Sequence, residues 1–315
     1  MIVYRNNDIE NISLNDTAVA IGEFDALHIG HRKIINKAVS NAKAMSLKSL
    51  VFMFENNPLD IVLNTKVKAV NSIDTRIKIL EGLGVDIVVI SNFDKKIMEI
   101  SKEEFFDNYI TEKFDAKSIS VGFNFSFGRK GEGDTAYLEK RCEDSSIKLD
   151  IIPEVTLSDK TVSSTRVREL ISSGDVETAA KLLDRYFSIS GTIVKGNQIG
   201  GKLLGFPTAN IEMPENTIVP EYGVYITRAV INGQAYPSIT NVGDKPTVGK
   251  NYTGVETHII GAEFGELYGK CIEIEFCEHI RKISSFENAD ALINQLEKDK
   301  NKAIKYFEER RKSET

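Results

Sequence analysis

The apolar positions in the first half of the chain change period along its length. Short continuous runs read as strands buried on both faces: TAVAIG (17–22), KSLVFMF (48–54), VDIVVI (85–90), AKSISVG (116–122) and SSIKLDIIP (145–153). Between them the period is helical. Residues 30–46 place Ile34, Ile35, Ala38, Val39, Ala42 and Met45 on one face. TRIKILEGLG (75–84) closes on glycine, and SKEEFFDNYITEKF (101–114) opens with Ser101 and Glu104 at capping-box spacing. Continuous apolar strands separated by helices predict a parallel sheet covered on both faces.

The pattern then changes. VSSTRVRELISSGDVETAAKLL (162–183) reads as two short helices broken at Gly174. From about residue 187 the helical period is lost, and FSISGTIVK, GVYITRAVI, QAYPSITNVG, GVETHIIG and CIEIEFCEHI follow as short strands. INGQ between two of them is a tight hairpin signal. These strands predict a small antiparallel barrel, closed off by a charged helix over 285–312. The change of pattern near Asp184–Phe187 divides the chain into domains 1–185 and 186–315.

Composition narrows the class. The chain has 315 residues, and 40 Lys+Arg against 46 Asp+Glu give a net charge of −6. With 41% hydrophobic residues it folds rather than stays disordered, and its mild acidity argues against nucleic acid as a partner. Three cysteines without a CxxC pair make neither a zinc site nor a disulfide framework. No run of 18 apolar residues predicts a membrane span, and the acidic opening MIVYRNNDIENIS does not read as a signal peptide, so a cytoplasmic protein is expected. Nothing in the pattern decides between a monomer and a self-associating chain.

Two constellations carry chemistry. The first is AIGEFDALHIGHR (20–32), where a buried strand ends at Gly22 and a helix begins near Gly30. Ligands of open parallel sheets sit at such carboxyl ends, next to helix N-termini. His28 and His31 there can bond phosphate oxygens and stabilise charge as pyrophosphate leaves. Gly22, Phe24, Asp25 and Gly30 complete the nucleotide-binding set, with Gly30 leaving room for close approach. In VGFNFSFGRKGEGD (121–134), Asn124 can bond a base or a phosphate. Phe125 and Phe127 form either the wall of a ring-shaped site or a buried aromatic cluster. In SSTRVRE (163–169), Ser164 or Thr165 caps a helix, or that helix start and Arg168 together hold an anion. No G-x-x-x-x-G-K-[ST] occurs, and no G-x-G-x-x-G follows the first strand.

The second constellation is GNQIGGKLLGFPTANI (196–211). Gly196, Gly200 and Gly205, with Gly201, make a loop able to wrap phosphates, and Pro207 leads into Thr208 and Asn210, which share a strand face. Their oxygens suit Mg²⁺ beside ATP phosphates. In GVETHIIG (254–261), Glu256 and His258 share a face; they are either a solvated sheet surface or a carboxylate placed to take a proton in phosphoryl transfer.

Together these motifs resemble one family over about residues 14–309: the bacterial bifunctional riboflavin kinase/FAD synthetases. The resemblance lies in AIGEFDALHIGH, VGFNFSFG and VSSTRVREL, then in GKLLGFPTANI, PEYGVY, NVGDKPT, VETHI, LYGKCIEIEF and HIRKISSF…L…QLEKD. It implies a Rossmann-like nucleotidyltransferase domain followed by a six-stranded barrel. The barrel would phosphorylate riboflavin from ATP to give FMN, and the first domain would transfer AMP from ATP to FMN, giving FAD and pyrophosphate. His28, His31, Asn124 and Arg168 would serve the adenylyl transfer. Thr208 and Asn210 would hold Mg²⁺ and ATP, and Glu256 would be the kinase base. The chain departs from the family at Ala26, usually glycine, and at ENNP (55–58), usually D-P-H-P-like, so that Asn56 and Asn57 replace a proline and a histidine. If residue 26 needs a positive φ, Ala26 strains the turn. The alternatives are a monofunctional riboflavin kinase with a weakened nucleotidyltransferase domain and a non-catalytic flavin-binding regulator.

Overall fold

The computed structural model describes residues 1–195, 207–247, 250–262 and 267–313. It divides into two compact units between Ser164 and Thr165.

The first unit carries six parallel strands: β1 (Ile2–Arg5), β2 (Thr17–Ile21), β3 (Lys48–Phe54), β4 (Ile87–Ser91), β5 (Ala116–Gly122) and β6 (Lys148–Ile152). Their order is β1-β4-β3-β2-β5-β6. A short β7–β8 hairpin (Thr156–Leu157, Lys160–Thr161) follows. The helices are α1 (Asn7–Asn11), α2 (Ile29–Met45), α3 (Pro58–Val62), α4 (Ile73–Gly82), α5 (Lys95–Met98), α6 (Lys102–Phe105, continued as a π-helix through Lys113) and α7 (Thr135–Asp144).

Period-two alternation explains the two-sided core. Val19, Ile21, Leu50, Phe52, Ile87 and Val89 pack with Phe105, Phe106, Ile110 and Phe114. Their neighbours Ala20, Val51, Met53, Val88 and Ile90 pack with Ile34, Ile35 and Ala38 of α2 and Leu80 of α4. A strand with both faces covered has no polar side to show, hence the continuous apolar runs. From β2 the chain runs to β3 and β4 on one side and then crosses back to β5 on the other. The carboxyl ends of β2 and β5 therefore flank the switch point, where such sheets bind ligands.

The second unit begins with α8 (Ser164–Ser172), which opens at the division, and α9 (Val176–Leu183). Strands β9 (Phe187–Val194), β10 (Ala209–Glu212), β11 (Gly223–Ile231), β12 (Gln234–Thr247), β13 (Lys250–Ile259) and β14 (Cys271–Lys282) close an antiparallel barrel in the order β10-β13-β12-β11-β14-β9. The β11–β12 hairpin turns on Asn232 and Gly233, both at positive φ, as the Asn-Gly pair predicts. α9 packs against β9 and β14.

Inside the barrel Tyr225 and Phe187 pack on Phe276, and Thr227, Ser238, Thr240 and Thr257 link their hydroxyls at 2.7–2.8 Å. Outside, Ile226, Ile239 and Cys277 pack under α10 (Ala289–Ser313) through Ala303. Arg281 on β14 grips the buried Asp299 of α10 at 2.8–3.3 Å, and Gln295 donates to the same carboxylate at 2.8 Å.

Candidate active sites

The histidine motif is the loop from β2 into α2. His28 is the N-cap of α2, where its Nδ1 accepts the backbone N–H of His31 at 3.2 Å. The two imidazoles stack at 3.7 Å between centroids, and Phe24 meets His31 edge-on at 5.2 Å. A Cβ on Gly22 would fall 2.9 Å from the Phe24 ring, so only glycine lets that ring fold back over the strand end. The space in front of Gly30 is taken by the His28 ring, 3.2 Å from where a Cβ would stand.

The left-handed residues of this loop are Phe24 (φ 49°) and Leu27 (φ 47°). Ala26 is fully buried and is not among the positive-φ residues, so the condition under which alanine would strain this turn is not met. Asp25 is also buried, and its carboxylate accepts the backbone N–H of Val70 at 3.0 Å and of Asn71 at 3.5 Å. It thus ties the motif to the segment ahead of α4.

ENNP is absorbed into the same network. Asn57 caps α3 by accepting the Leu59 N–H at 2.9 Å, and its amide donates to Glu23 at 2.5 Å. Asn56 pairs with the backbone of Phe93 in both directions, at 2.8 and 2.9 Å. Beneath them lies Arg76, 4% exposed, a residue the sequence pattern had placed only on a helix. Its guanidinium donates to the carbonyls of Glu23 (3.3 Å), Phe54 (2.9 Å) and Glu55 (2.8 Å), joining the ends of β2 and β3. Burial lowers its pKa, opposed by Asp25, Glu23 and Glu55.

Asn124 is exposed just beyond β5, at the other side of the switch point. Of the two phenylalanines beside it, Phe127 is buried in the core and stacks on Phe125 at 5.4 Å. The aromatic cluster is therefore what Phe127 builds. Ser164 and Thr165 are the first two residues inside α8, and the cap position falls to Ser163. Arg168 stands half-buried one turn further on, within the second unit.

In the barrel, Asn210 on β10 lies directly opposite Glu256 on β13, and the rungs on either side are Ala209↔Thr257 and Ile211↔Val255. Directly opposed residues share a face. Thr257 belongs to the inner hydroxyl chain, so Asn210, Glu256 and His258 face outward, while Thr208 comes just before the first residue of β10. Asn210 is 6% exposed and Glu256 half-buried. Gly196, Gly200 and Gly205 lie outside the described residues. Pro207 and Thr208 are described, and both are exposed. Among the described residues no group of three His, Cys, Asp or Glu side chains is placed to hold a metal ion.

A doubly wound sheet with a histidine pair at its switch point, followed by a closed barrel with a carboxylate–amide pair, defines a two-unit transferase. Residues 10–166 match the FAD synthetase family and residues 183–307 the riboflavin kinase family. The bifunctional riboflavin kinase/FMN adenylyltransferase of Bacillus subtilis is 31% identical over 94% of both chains, and that of Listeria monocytogenes 30% identical over 92% of both. The chain belongs to this family of bifunctional riboflavin kinase/FMN adenylyltransferases. A solved structure from Streptococcus pneumoniae, named a macrolide-efflux protein, matches with a TM-score of 0.86 at 26% identity, covering 96% of this chain and 98% of its own. Among the described residues of this chain no helix is long and apolar enough to cross a membrane.

Proposed function

We propose that the two reactions of the family run on these two groups of residues. At the end of β2, the FMN phosphate attacks the α-phosphorus of ATP and pyrophosphate leaves. His28 and His31, at the N-terminus of a 17-residue helix, offset the charge that builds on the transferring phosphate. Asn124 contacts the nucleotide from just beyond β5. Gly22, Phe24, Asp25 and Gly30 shape the loop, and Arg76 fixes its distance from the end of β3.

On the barrel, the ribityl hydroxyl of riboflavin attacks the γ-phosphorus of ATP, the bond to the β–γ bridging oxygen breaks so that ADP leaves, and Glu256 accepts the hydroxyl proton. The Thr208 hydroxyl and Asn210 amide oxygen fit Mg²⁺, which takes oxygen ligands and fills its shell from phosphates and water. Bound there, Mg²⁺ would neutralise charge on the β- and γ-phosphates. ATP as donor in both steps fits a cytoplasmic location, as do three free cysteines.

The observation that carries this reading is the Asn210–Glu256 rung, which sets the PTAN and VETHI segments side by side with Asn210 and Glu256 on one outward face. Incubation with riboflavin, ATP and Mg²⁺, followed by chromatography, tests it. FMN and FAD should both form. FMN alone would indicate a monofunctional kinase, and no product a regulator. Glu256→Gln should abolish FMN formation and leave FMN-to-FAD conversion intact; equal loss of both would reject the assignment. His31→Ala should cost about 10²–10³-fold in FAD formation and spare the kinase.

A further inference from the structure

The first residues of the PTAN segment are held in an unusual way. Asn210 has a register partner on each edge of β10, Glu256 on β13 and Val194 on β9. The β10–β13 ladder starts at Ala209, so Thr208 stands just outside it. Pro207 has no N–H to extend the ladder. In place of a backbone rung, the Nδ1 of His258 lies 2.9 Å from the Pro207 carbonyl oxygen.

We propose that His258 is a positioning residue of the kinase site: its imidazole fastens the Pro207 carbonyl and so holds Thr208 on the face shared by Asn210 and Glu256. A carbonyl can only accept, so Nδ1 carries the proton in this bond. Burial lowers the pKa of His258, and Lys300 on α10 acts in the same direction, while the Pro207 carbonyl and Glu297 act against it. Glu256 is the ionisable neighbour on its own strand. Neutral imidazole and imidazolium both donate from Nδ1, so the latch itself does not depend on pH. Half-buried, two residues beyond Glu256 and beside α10, His258 ties β13 to the residues just before the β10 ladder.

The inference rests on Thr208, Asn210 and Glu256 forming the kinase site. A misplacement of about 1 Å in a positioned group costs about 10²-fold in rate. His258→Leu should therefore lower kcat for FMN formation by roughly 30–100-fold, with the riboflavin KM changed by less than about threefold. His258→Asn carries an amide N–H at the same number of bonds from the backbone as Nδ1. It should keep kcat within about threefold of the unmodified chain and leave the pH profile in place. Wild-type kcat in the Leu variant, or an Asn variant as slow as Leu, overturns the latch; the second outcome would give the imidazole itself a chemical role. Should circular dichroism show the Leu variant unfolded, the Asn variant decides alone, since full activity upholds the latch and loss overturns it. Glu256→Gln run alongside separates the two claims: FMN formation surviving that change would sink the site, not the latch.

Discussion

At the N-terminus of α2 the Nδ1 of His28 is committed to the His31 N–H, while the same ring stacks on its partner imidazole. Capping and phosphate chemistry can therefore be separated by substitution. His28→Ala should lose the cap and about 1 kcal/mol of stability in the sheet unit, and His28→Asn, a good N-cap, should recover it. Both should lose FAD formation by about 10²–10³-fold. Thermal melts beside the FMN-to-FAD assay check this, and an Asn variant with full FAD formation would reduce His28 to a cap. The pair was legible in the sequence because two histidines three apart follow a buried strand. Arg76 was not legible, because its partners are three backbone carbonyls and no spacing of side chains announces them. The same holds for His258, whose partner is also a carbonyl. Ala26 taught the reverse lesson. A departure from a family pattern suggested strain, yet the loop takes its positive φ at Phe24 and Leu27 instead.

Among the elements, the strands of both sheets were the most readable. The inner strands β2–β5 of the parallel sheet are buried on both faces, and strands of the barrel end in Asn-Gly and glycine turns. β1 is a four-residue edge strand with exposed ends, and its apolar signal was too short to register. α7 went unread because it follows a glycine-rich loop and shows only Leu138 and Cys142 to the core. β10 was legible only through its Thr/Asn alternation. The charged helix at the end was read from composition, but its anchor came only with the structure: Asp299, 1% exposed, held by Arg281 and Gln295. Removing one partner of a buried pair leaves the other charge without compensation. Asp299→Ala should cost about 3–5 kcal/mol in the barrel unit. Calorimetry should show the barrel transition moving down while the sheet transition stays. Equal shifts in both, or none, would mean that α10 is not held by this pair.

At the level of the whole chain, two units each with their own ATP-dependent chemistry raise the question of how FMN passes between them. The histidine loop with α2, Asp25 and Arg76 lies in one unit, and the Asn210–Glu256 rung with His258 in the other. Neither reaction, so built, needs the other to be intact on the same polypeptide. FMN should then be released to water before it is adenylylated. A mixture of the Glu256→Gln chain, which cannot make FMN, and the His31→Ala chain, which uses it poorly, should convert riboflavin to FAD although neither does so efficiently alone. The expected trace is FMN rising first and FAD after a lag that shortens as the Glu256→Gln chain is added. A trap for free FMN, such as a flavodoxin-type apoprotein in excess, should suppress FAD formation in the mixture and in the unmodified chain to the same degree. Were the unmodified chain to keep making FAD under the trap while the mixture stopped, FMN would be passing within one molecule, and the independence of the two sites would have to be given up.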